Sequence, residues 1–445
     1  MAEQPLSHRR VLRIALPIVL SNVTVPLLGA VDTGVVGQLG LAAPIGAVGL
    51  GAVVLASIYW IFGFLRMGTS GLAAQARGEG NRAEEAAILI RALLIGALVG
   101  LGMVALQQPL IRLALSISPG SAEVEGLARA YLRLRIWGAP ATICLYAITG
   151  WLIAQERTRG VLGLQVLMNG LNVGLDLWFV LGLGWGVPGV AVATLIAEWS
   201  GLGFGLWLCR EGLGGGRGQV AIDWQRVADW ASLRRMLAVN ADILLRTVVL
   251  QGSFTAFVFL GAGFGDVTLA ANQVLMQFLE ITAFGLDGFA FAAESLVGQA
   301  VGAGSALRVR RAAWVTSQWG GGGAVLLAAG FWLAGPWLID LIAASGAVRA
   351  EARTFLPWVV LAPVIGIASW MFDGIFIGAT RTKEMRNAMA VSVAIYGVAL
   401  WLMVPGFGNH GLWAALMVLN LARGASMALY YRRVEQAAGG FADFR

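Results

Sequence analysis

Residues 11–36 read VLRIALPIVLSNVTVPLLGAVDTGVV and form the first long apolar segment of the chain. A largely apolar segment of this length can cross a bilayer as a helix. It carries one acid, Asp32, and two prolines, Pro17 and Pro26. A lone carboxylate inside a membrane helix is costly, so it indicates an ion or substrate pathway. The prolines remove backbone donors and predict a helix hinge near this acid.

The amino-acid composition is that of a polytopic membrane protein. Of 445 residues, 58% are hydrophobic and 12% are charged, whereas a soluble domain carries about 25% charged residues. The net charge of +7 does not indicate nucleic-acid binding, because the basic residues lie in short patches between apolar segments. The only cysteines, Cys144 and Cys209, lie far apart, and His8 and His410 are the only histidines. We therefore expect no disulfide, metal centre or cofactor.

Apolar segments of spanning length recur along the chain and predict twelve transmembrane helices. They cover residues 11–36, 41–65, 86–106, 133–154, 161–181, 187–209, 236–260, 269–293, 312–334, 355–377, 388–406 and 411–431. Of the 31 lysines and arginines, 23 fall in segments on one side of the membrane, six on the other and two within spans. Because basic residues favour the cytoplasmic side, both termini are predicted to be cytoplasmic. We expect a monomer in the inner membrane of a bacterium.

The two halves of the chain repeat short motifs at one spacing. A Gln-Ala-x-Gly-x-Gly motif occurs at 75–80 and again at 299–304, and an Arg-Thr pair at 157–158 recurs at 381–382. Six spans return the chain to its starting side, so the repeat predicts two parallel six-helix lobes, related by a pseudo-two-fold axis normal to the membrane. The predicted division is an N-terminal lobe at 1–209, a cytoplasmic linker with an interfacial helix at 210–235, and a C-terminal lobe at 236–445.

Polar side chains on three other predicted helices share the depth of Asp32. Asn172 and Asp176 lie one turn apart on the fifth span, Thr194 lies near the outer start of the sixth, and Tyr131 near that of the fourth. We expect them to converge in the outer half of the N-terminal lobe. Two carboxylates in one pocket of low dielectric cannot both be ionised cheaply, so the set predicts a proton or sodium site.

The second half has its own charged residues inside predicted spans. Asp242 and Arg246 lie one turn apart on the seventh span and are predicted to pair. Glu280, Asp287 and Asp373 lie on the eighth and tenth spans. These three acids are predicted to line a cavity suited to cationic, amphipathic organic compounds.

Three stretches resemble the multidrug and toxic compound extrusion family, and in particular its DinF-like bacterial branch. They are VPLLGAVDTGVVGQLG at 25–40, FLRMGTSGLAAQARG at 64–78 and DGIFIGATRTKEMRNAM at 373–389. The resemblance implies twelve helices in two lobes, and antiport of organic cations or similar compounds against protons or sodium. It also implies that Asp32 is the ion-coupling acid, and that the first helix bends at Pro17.

The same resemblance implies roles for the neighbouring polar residues. Asn172 and Asp176 keep the spacing of the family's fifth-helix pair, and Tyr131 and Thr194 fall where its hydrogen-bonding partners would. The chain departs from the family pattern at Thr149, where relatives carry asparagine. The missing amide oxygen would weaken a sodium site.

The sequence therefore predicts secondary active multidrug efflux and no enzymatic activity. One alternative is a flippase for lipids or lipid-linked precursors, which a strongly cationic cavity would favour. Another is an intramembrane enzyme, such as a protease or a glycosyltransferase. Rhomboid-like proteolysis needs a serine–histidine pair within the membrane, and His410 lies in a predicted outer loop. A passive channel fits the duplicated lobes less well than alternating access does.

Overall fold

The computed structural model describes residues 6–38, 42–116, 121–213 and 222–439, and within these ranges the chain is helical with no β-strand. The α-helices, in chain order, are α1 (His8–Gly37), α2 (Ala42–Ile61), α3 (Phe64–Gly78), α4 (Arg82–Ala105), α5 (Gln107–Ser116), α6 (Ala122–Arg135), α7 (Ala139–Ala154), α8 (Thr158–Asp176), α9 (Gly186–Leu208), α10 (Trp224–Val227), α11 (Trp230–Ala262), α12 (Asp266–Gly302), α13 (Ala306–Ile342), α14 (Gly346–Gly378) and α15 (Thr382–Ala437). A 3-10 turn, Ile136–Gly138, joins α6 to α7, and a π-helical turn, Leu177–Gly182, extends α8.

The helices account for the twelve predicted spans. Ten helical stretches of the described residues are long and apolar enough to cross a membrane. One of them, α15, consists of two helices that meet at Gly408, where φ is 54°. Helix α1 adds a further 30 residues, which is about 45 Å at the rise of an α-helix. The prediction of an all-α membrane protein with twelve spans is confirmed.

The internal repeat is visible in the backbone of the turns. Glu156, after α7, and Thr380, after α14, have φ of 57° and 51°, a conformation that side chains other than glycine rarely adopt. Gly80 and Gly304, which close the two Gln-Ala-x-Gly-x-Gly motifs, have φ of 71° and 68°. Each pair is separated by the same 224 positions as the sequence motifs. The two halves therefore share local structure as well as sequence.

The repeat also sets two close helix crossings. A Cβ atom at Gly150 on α7 would collide with the backbone carbonyl of Arg66 on α3. At the repeat-equivalent position, a Cβ atom at Gly374 on α14 would collide with the carbonyl of Ala290 on α12. Small residues allow membrane helices to approach this closely. These two glycines fix the same packing once in each half.

The helices group into two compact units. Unit 1 contains Met1–Val19, Gly78–Gly80 and Leu237–Arg445, and unit 2 contains Leu20–Arg77 and Asn81–Met236. The boundary near the N-terminus falls inside α1, and the boundary at residue 236 falls inside α11. The predicted lobe limits at 209 and 236 stay predictions.

A four-residue helix, α10, lies within the predicted linker. Asp223 caps it by accepting a hydrogen bond from the backbone N–H of Arg226 at 3.1 Å. Arg91 on α4 holds its end, because the Nε of Arg91 donates to the carbonyl of Val227 at 3.0 Å. Val227 is buried, whereas Trp224 is exposed. Most of the glycine-rich part of the linker, residues 214–221, lies outside the described residues.

Candidate functional site

Two acids meet in unit 2. The carboxyl groups of Asp32 on α1 and Asp176 at the end of α8 lie within hydrogen-bonding reach of each other. Asp176 has no exposed surface. Neither Oδ1 of Asp32 nor either oxygen of Asp176 accepts a hydrogen bond from an N–H or hydroxyl group of the described residues. Asp32 is partly buried. Two carboxylates at this range repel each other when little water surrounds them, and a shared proton or a bound cation would relieve that repulsion.

An amide and a hydroxyl group lie beside this acid pair. Asn172 precedes Asp176 by one turn of α8, and its Nδ2 donates to Oγ1 of Thr194 on α9 at 3.0 Å. The Thr194 hydroxyl in turn donates to the carbonyl of Val190 at 2.9 Å. The Oδ1 of Asn172 is buried and has no partner in the described part of the chain. An oxygen ligand is therefore free one turn from the acids.

Tyr131 lies one turn before an arginine that acts on the acid pair. It is buried on α6, and the charge of Arg135, one turn further along the same helix, acts on it. Arg135 also acts electrostatically on both Asp32 and Asp176. The predicted group of five residues therefore falls within one region of unit 2, with Arg135 as an additional member.

Arg135 is anchored by a buried ion pair that the sequence did not predict. Its Nη1 and Nη2 donate to the two carboxylate oxygens of Glu198 on α9 at 2.7 and 2.9 Å. Gly138, in the turn after α6, leaves room for this carboxylate, since a Cβ atom there would collide with it. Counting basic residues placed Arg135 in an outer segment. The acid of Glu198 inside a span was the signal that a buried cation was missing.

The first half of α1 is held within unit 1. The Nη2 of Arg10 donates to Oε1 of Gln299 on α12 at 2.9 Å. Gly288 on α12 packs so closely on α1 that a Cβ atom there would lie 2.7 Å from the carbonyl oxygen of Ala15. Pro17 is buried in this half. The close packing fixes the start of α1 on α12.

The second half of α1 belongs to unit 2. There the Nδ2 of Asn169 on α8 donates to the carbonyl of Thr24 at 3.2 Å, and Asp32 meets Asp176. Helix α1 continues through Pro26, whose side chain lies outside the described residues. The division between the units, after Val19, follows Pro17 by two residues.

The predicted pair of Asp242 and Arg246 is not formed, and each residue has a partner on another helix. Arg246 pairs with Asp373 on α14. Asp242 accepts a hydrogen bond from Nη1 of Arg386 on α15 at 2.6 Å and another from the hydroxyl of Thr382. Spacing along one helix does not show which charges on neighbouring helices lie closer.

The three acids predicted to line a cavity in the C-terminal half differ in their surroundings. Glu280 is exposed, Asp287 is partly buried, and the side chain of Asp373 is enclosed by arginines. No group of three or more histidine, cysteine, aspartate or glutamate side chains converges anywhere in the described ranges. Asp373 therefore does not favour a cationic substrate, because two arginines already neutralise its negative charge.

Two segments of the chain, residues 17–178 and 243–403, match the MatE family model. The protein belongs to the MatE family. The two matches begin 226 positions apart, close to the spacing of the sequence repeat, and each covers most of one half.

Similar proteins agree with this membership. The Escherichia coli K12 protein called DNA damage-inducible protein F is 41% identical over 432 residues, covering 96% of this chain and 92% of its own length. A Pseudomonas aeruginosa protein called probable multidrug resistance protein NorM is 26% identical over 434 residues, covering 92% and 86%. The crystal structure of the Vibrio cholerae MATE transporter VcmN in the bent form has the same fold, with a TM-score of 0.85 at 20% identity over 97% of this chain and 98% of that one.

Membership of the MatE family defines the protein as a multi-pass membrane transporter and not an enzyme. The family consists of multidrug efflux transporters coupled to ions, with small organic compounds as substrates.

Proposed function

We propose that this MatE protein exports small amphipathic organic compounds in exchange for protons or sodium ions that bind at Asp32 and Asp176. The observation that supports the proposal is the carboxyl pair in unit 2, in which Asp176 is fully buried, Asp32 is partly buried and three oxygens accept no hydrogen bond from the described residues. Glu198, Asp242 and Asp373, by contrast, each pair with an arginine of the protein. This pair instead leaves a negative charge to be neutralised from outside.

Both coupling ions have a physical basis in the site. A proton shared by the two carboxyl groups would remove their repulsion without any further ligand. Sodium would need additional oxygen ligands, and Oδ1 of Asn172 is the nearest unused one on the same helix as Asp176. Arg135, whose charge acts on both acids, adds to the cost of leaving an extra cation in the pocket.

Helix α1 is the element that would link ion binding to movement. Its first half is fixed on α12 through Arg10 and its second half on α8 through Asp32. Pro17 lacks an N–H group, so the helix loses a backbone hydrogen bond just before the division between the units. We place the hinge at Pro17 rather than Pro26 for this reason, since binding or release of the ion would then change how the second half sits on α8.

The topology supports a matching location. We propose that the protein works as a monomer in the bacterial inner membrane, with its two termini in the cytoplasm. The unequal distribution of lysine and arginine supports this orientation. The six-helix lobes at 1–209 and 236–445 would be the parts that move.

The proposal is tested with the full-length protein in proteoliposomes. Uptake of radiolabelled tetraphenylphosphonium is measured with a proton gradient and a sodium gradient imposed separately. We expect one gradient to drive uptake, and Asp32→Asn and Asp176→Asn each to abolish the response. Asp266→Asn removes an exposed acid at the start of α12 and is the matched control, with uptake unchanged. Gradient-driven uptake by the Asp32 variant at the wild-type rate would refute the proposal.

A further inference from the structure

A second charge cluster, with both of its arginines buried, lies in unit 1. Asp373 on α14 accepts hydrogen bonds at the same oxygen, Oδ2, from Nη2 of Arg246 on α11 and from Nη2 of Arg423 on α15, the second at 2.8 Å. Both arginines are nearly inaccessible, at 5% and 4% exposed. We call these three residues the Arg246–Arg423 cluster.

The cluster carries more positive than negative charge. Its two guanidinium groups face one carboxylate, and the remaining contact, from Nη1 of Arg423 to Oδ1 of Asn420 at 3.2 Å, is neutral. No second acid pairs with Arg246 or Arg423 in the described residues. An arginine cannot shed its proton in a protein, so the excess charge stays. Inside a membrane helix bundle such a charge is costly unless an anion neutralises it.

Hydrogen-bonding capacity in the cluster is also unused. The Nε of Arg246 and the Nε of Arg423 are buried and have no acceptor in the described structure, and the Oδ1 of Asp373 has no donor. Two unused Nε donors beside an excess positive charge match the needs of an oxyanion.

We propose that the Arg246–Arg423 cluster binds the carboxylate of an amphipathic organic anion. A guanidinium group presents parallel N–H donors at the spacing of carboxylate oxygens, and Asp373 already shows that the cluster accepts this group. Asp373 contacts both arginines through Nη2, so the Nε of each arginine is left as a donor for a substrate carboxylate. As a substrate site, the cluster rests on the proposed export function; as a binding site, it does not.

The cluster favours organic acids as substrates, whereas the sequence predicted organic cations. The preference for cations was predicted from acids in the C-terminal half. Asp373 is neutralised by two arginines and Asp242 by Arg386. What remains at the buried cluster is one net positive charge. An organic acid with an apolar body satisfies this charge, whereas an organic cation adds to it.

Binding is tested with a matched pair of probes, 2-naphthoate and (2-naphthylmethyl)trimethylammonium, which share a ring and differ in charge. Equilibrium dialysis uses the full-length protein in phosphatidylcholine nanodiscs, with empty nanodiscs subtracted. We expect saturable 2-naphthoate binding, weakened about tenfold or more by Arg423→Gln because a charge-assisted bond is lost. Arg310→Gln removes an exposed arginine near the start of α13 and should leave binding unchanged. Absence of saturable binding to the wild type, or equal binding to the Arg423 variant, would overturn the proposal.

Two further variants keep the test decisive if Arg423→Gln does not yield folded protein by gel filtration. Arg423→Lys keeps the charge and loses the planar fork, so 2-naphthoate binding should weaken while the fold is retained. Asp373→Asn removes the competing carboxylate and should tighten binding. A lysine variant that binds as well as wild type, together with no tightening in the asparagine variant, would refute the site.

Two controls separate the sources of the anion and the two proposals. Replacing part of the phosphatidylcholine by phosphatidylglycerol should leave 2-naphthoate binding in place; loss of binding would assign the cluster to a lipid phosphate and overturn the substrate proposal. Asp32→Asn should abolish gradient-driven 2-naphthoate transport and keep equilibrium binding. If no gradient moves any probe, the export proposal fails, and the dialysis result still decides the binding site.

Discussion

Removing one partner of the buried pair of Arg135 and Glu198 should destabilise the protein strongly. Glu198→Gln keeps the shape of the side chain and leaves the charge of Arg135 without its partner. The pair is bidentate, at 2.7 and 2.9 Å, and each side chain is only 9% exposed. Breaking one side of a buried pair costs about 3–5 kcal/mol. Asp32 and Asp176 also act on Arg135 and partly replace Glu198. We therefore expect Glu198→Gln to lower the free energy of unfolding by about 3 kcal/mol, at the lower end of this range.

The exposed pair of Arg310 and Glu435 is the matched control. Its two hydrogen bonds are both 2.9 Å, but the side chain of Arg310 is 54% exposed. Water screens an exposed pair, so Glu435→Gln should cost about 1 kcal/mol or less. The two pairs have similar geometry and differ mainly in burial. The comparison therefore isolates the cost of a buried, unpaired guanidinium group.

The assay is reversible unfolding in dodecylmaltoside micelles by titration with sodium dodecyl sulfate, followed by helical circular dichroism. The double variant Arg135→Gln/Glu198→Gln removes both charges and should lose less stability than Glu198→Gln alone. The reasoning is refuted if Glu198→Gln destabilises no more than Glu435→Gln. Arg135→Gln alone is measured as well. The reasoning is equally refuted if the double variant loses as much stability as Arg135→Gln and Glu198→Gln lose when their separate losses are added.

Other parts of the structure make shorter predictions. Gly150→Ala and Gly374→Ala should each lower stability by about 1–3 kcal/mol in the same titration, because the added methyl group overpacks a helix crossing; Gly330→Ala, with open space around it, should not. Asn172→Ala should abolish sodium-driven uptake if sodium is the coupling ion, and proton-driven uptake should survive, as liposome assays can show. Pro17→Ala should slow gradient-driven uptake while tetraphenylphosphonium binding stays constant; a variant with the wild-type rate would move the hinge elsewhere.

Much of the fold could be predicted because a bilayer imposes simple rules on sequence. Segment length predicts the spans, and the repeated motifs predict two related halves. The meeting of Asp32 with Asp176 followed from helix depth and topology, as did the contact of Asn172 with Thr194. In each case, residues at one depth on helices of one half had few other places to lie.

The charge partners could not be predicted, because they depend on which helices are neighbours. Spacing suggested that Asp242 pairs with Arg246, but α14 and α15 bring closer partners to both. Arg135 lies at the end of α6, where a basic residue in the sequence reads as part of an outer loop. Only the packing of α6 against α9 reveals that it is buried beside Glu198. Long arginine side chains make such assignments difficult from sequence alone.

The two charged sites suggest a division of work within the protein. The acid pair of unit 2 has unmet negative charge, and the Arg246–Arg423 cluster of unit 1 has unmet positive charge. Sites of opposite charge suit ligands of opposite charge, a cation at the acid pair and an organic anion at the cluster.

If the protein exchanges compounds for ions, binding of a transported compound should expel an ion from Asp32 and Asp176. The most direct measurement is ion release from the purified full-length protein in weakly buffered detergent solution on addition of tetraphenylphosphonium or 2-naphthoate. A pH-sensitive dye reports protons and a sodium electrode reports sodium. We predict saturable release of one ion species from the wild type, and none from the variant Asp32→Asn/Asp176→Asn. Equal release from both proteins, or compound binding to the wild type with no release of either ion, would contradict the account.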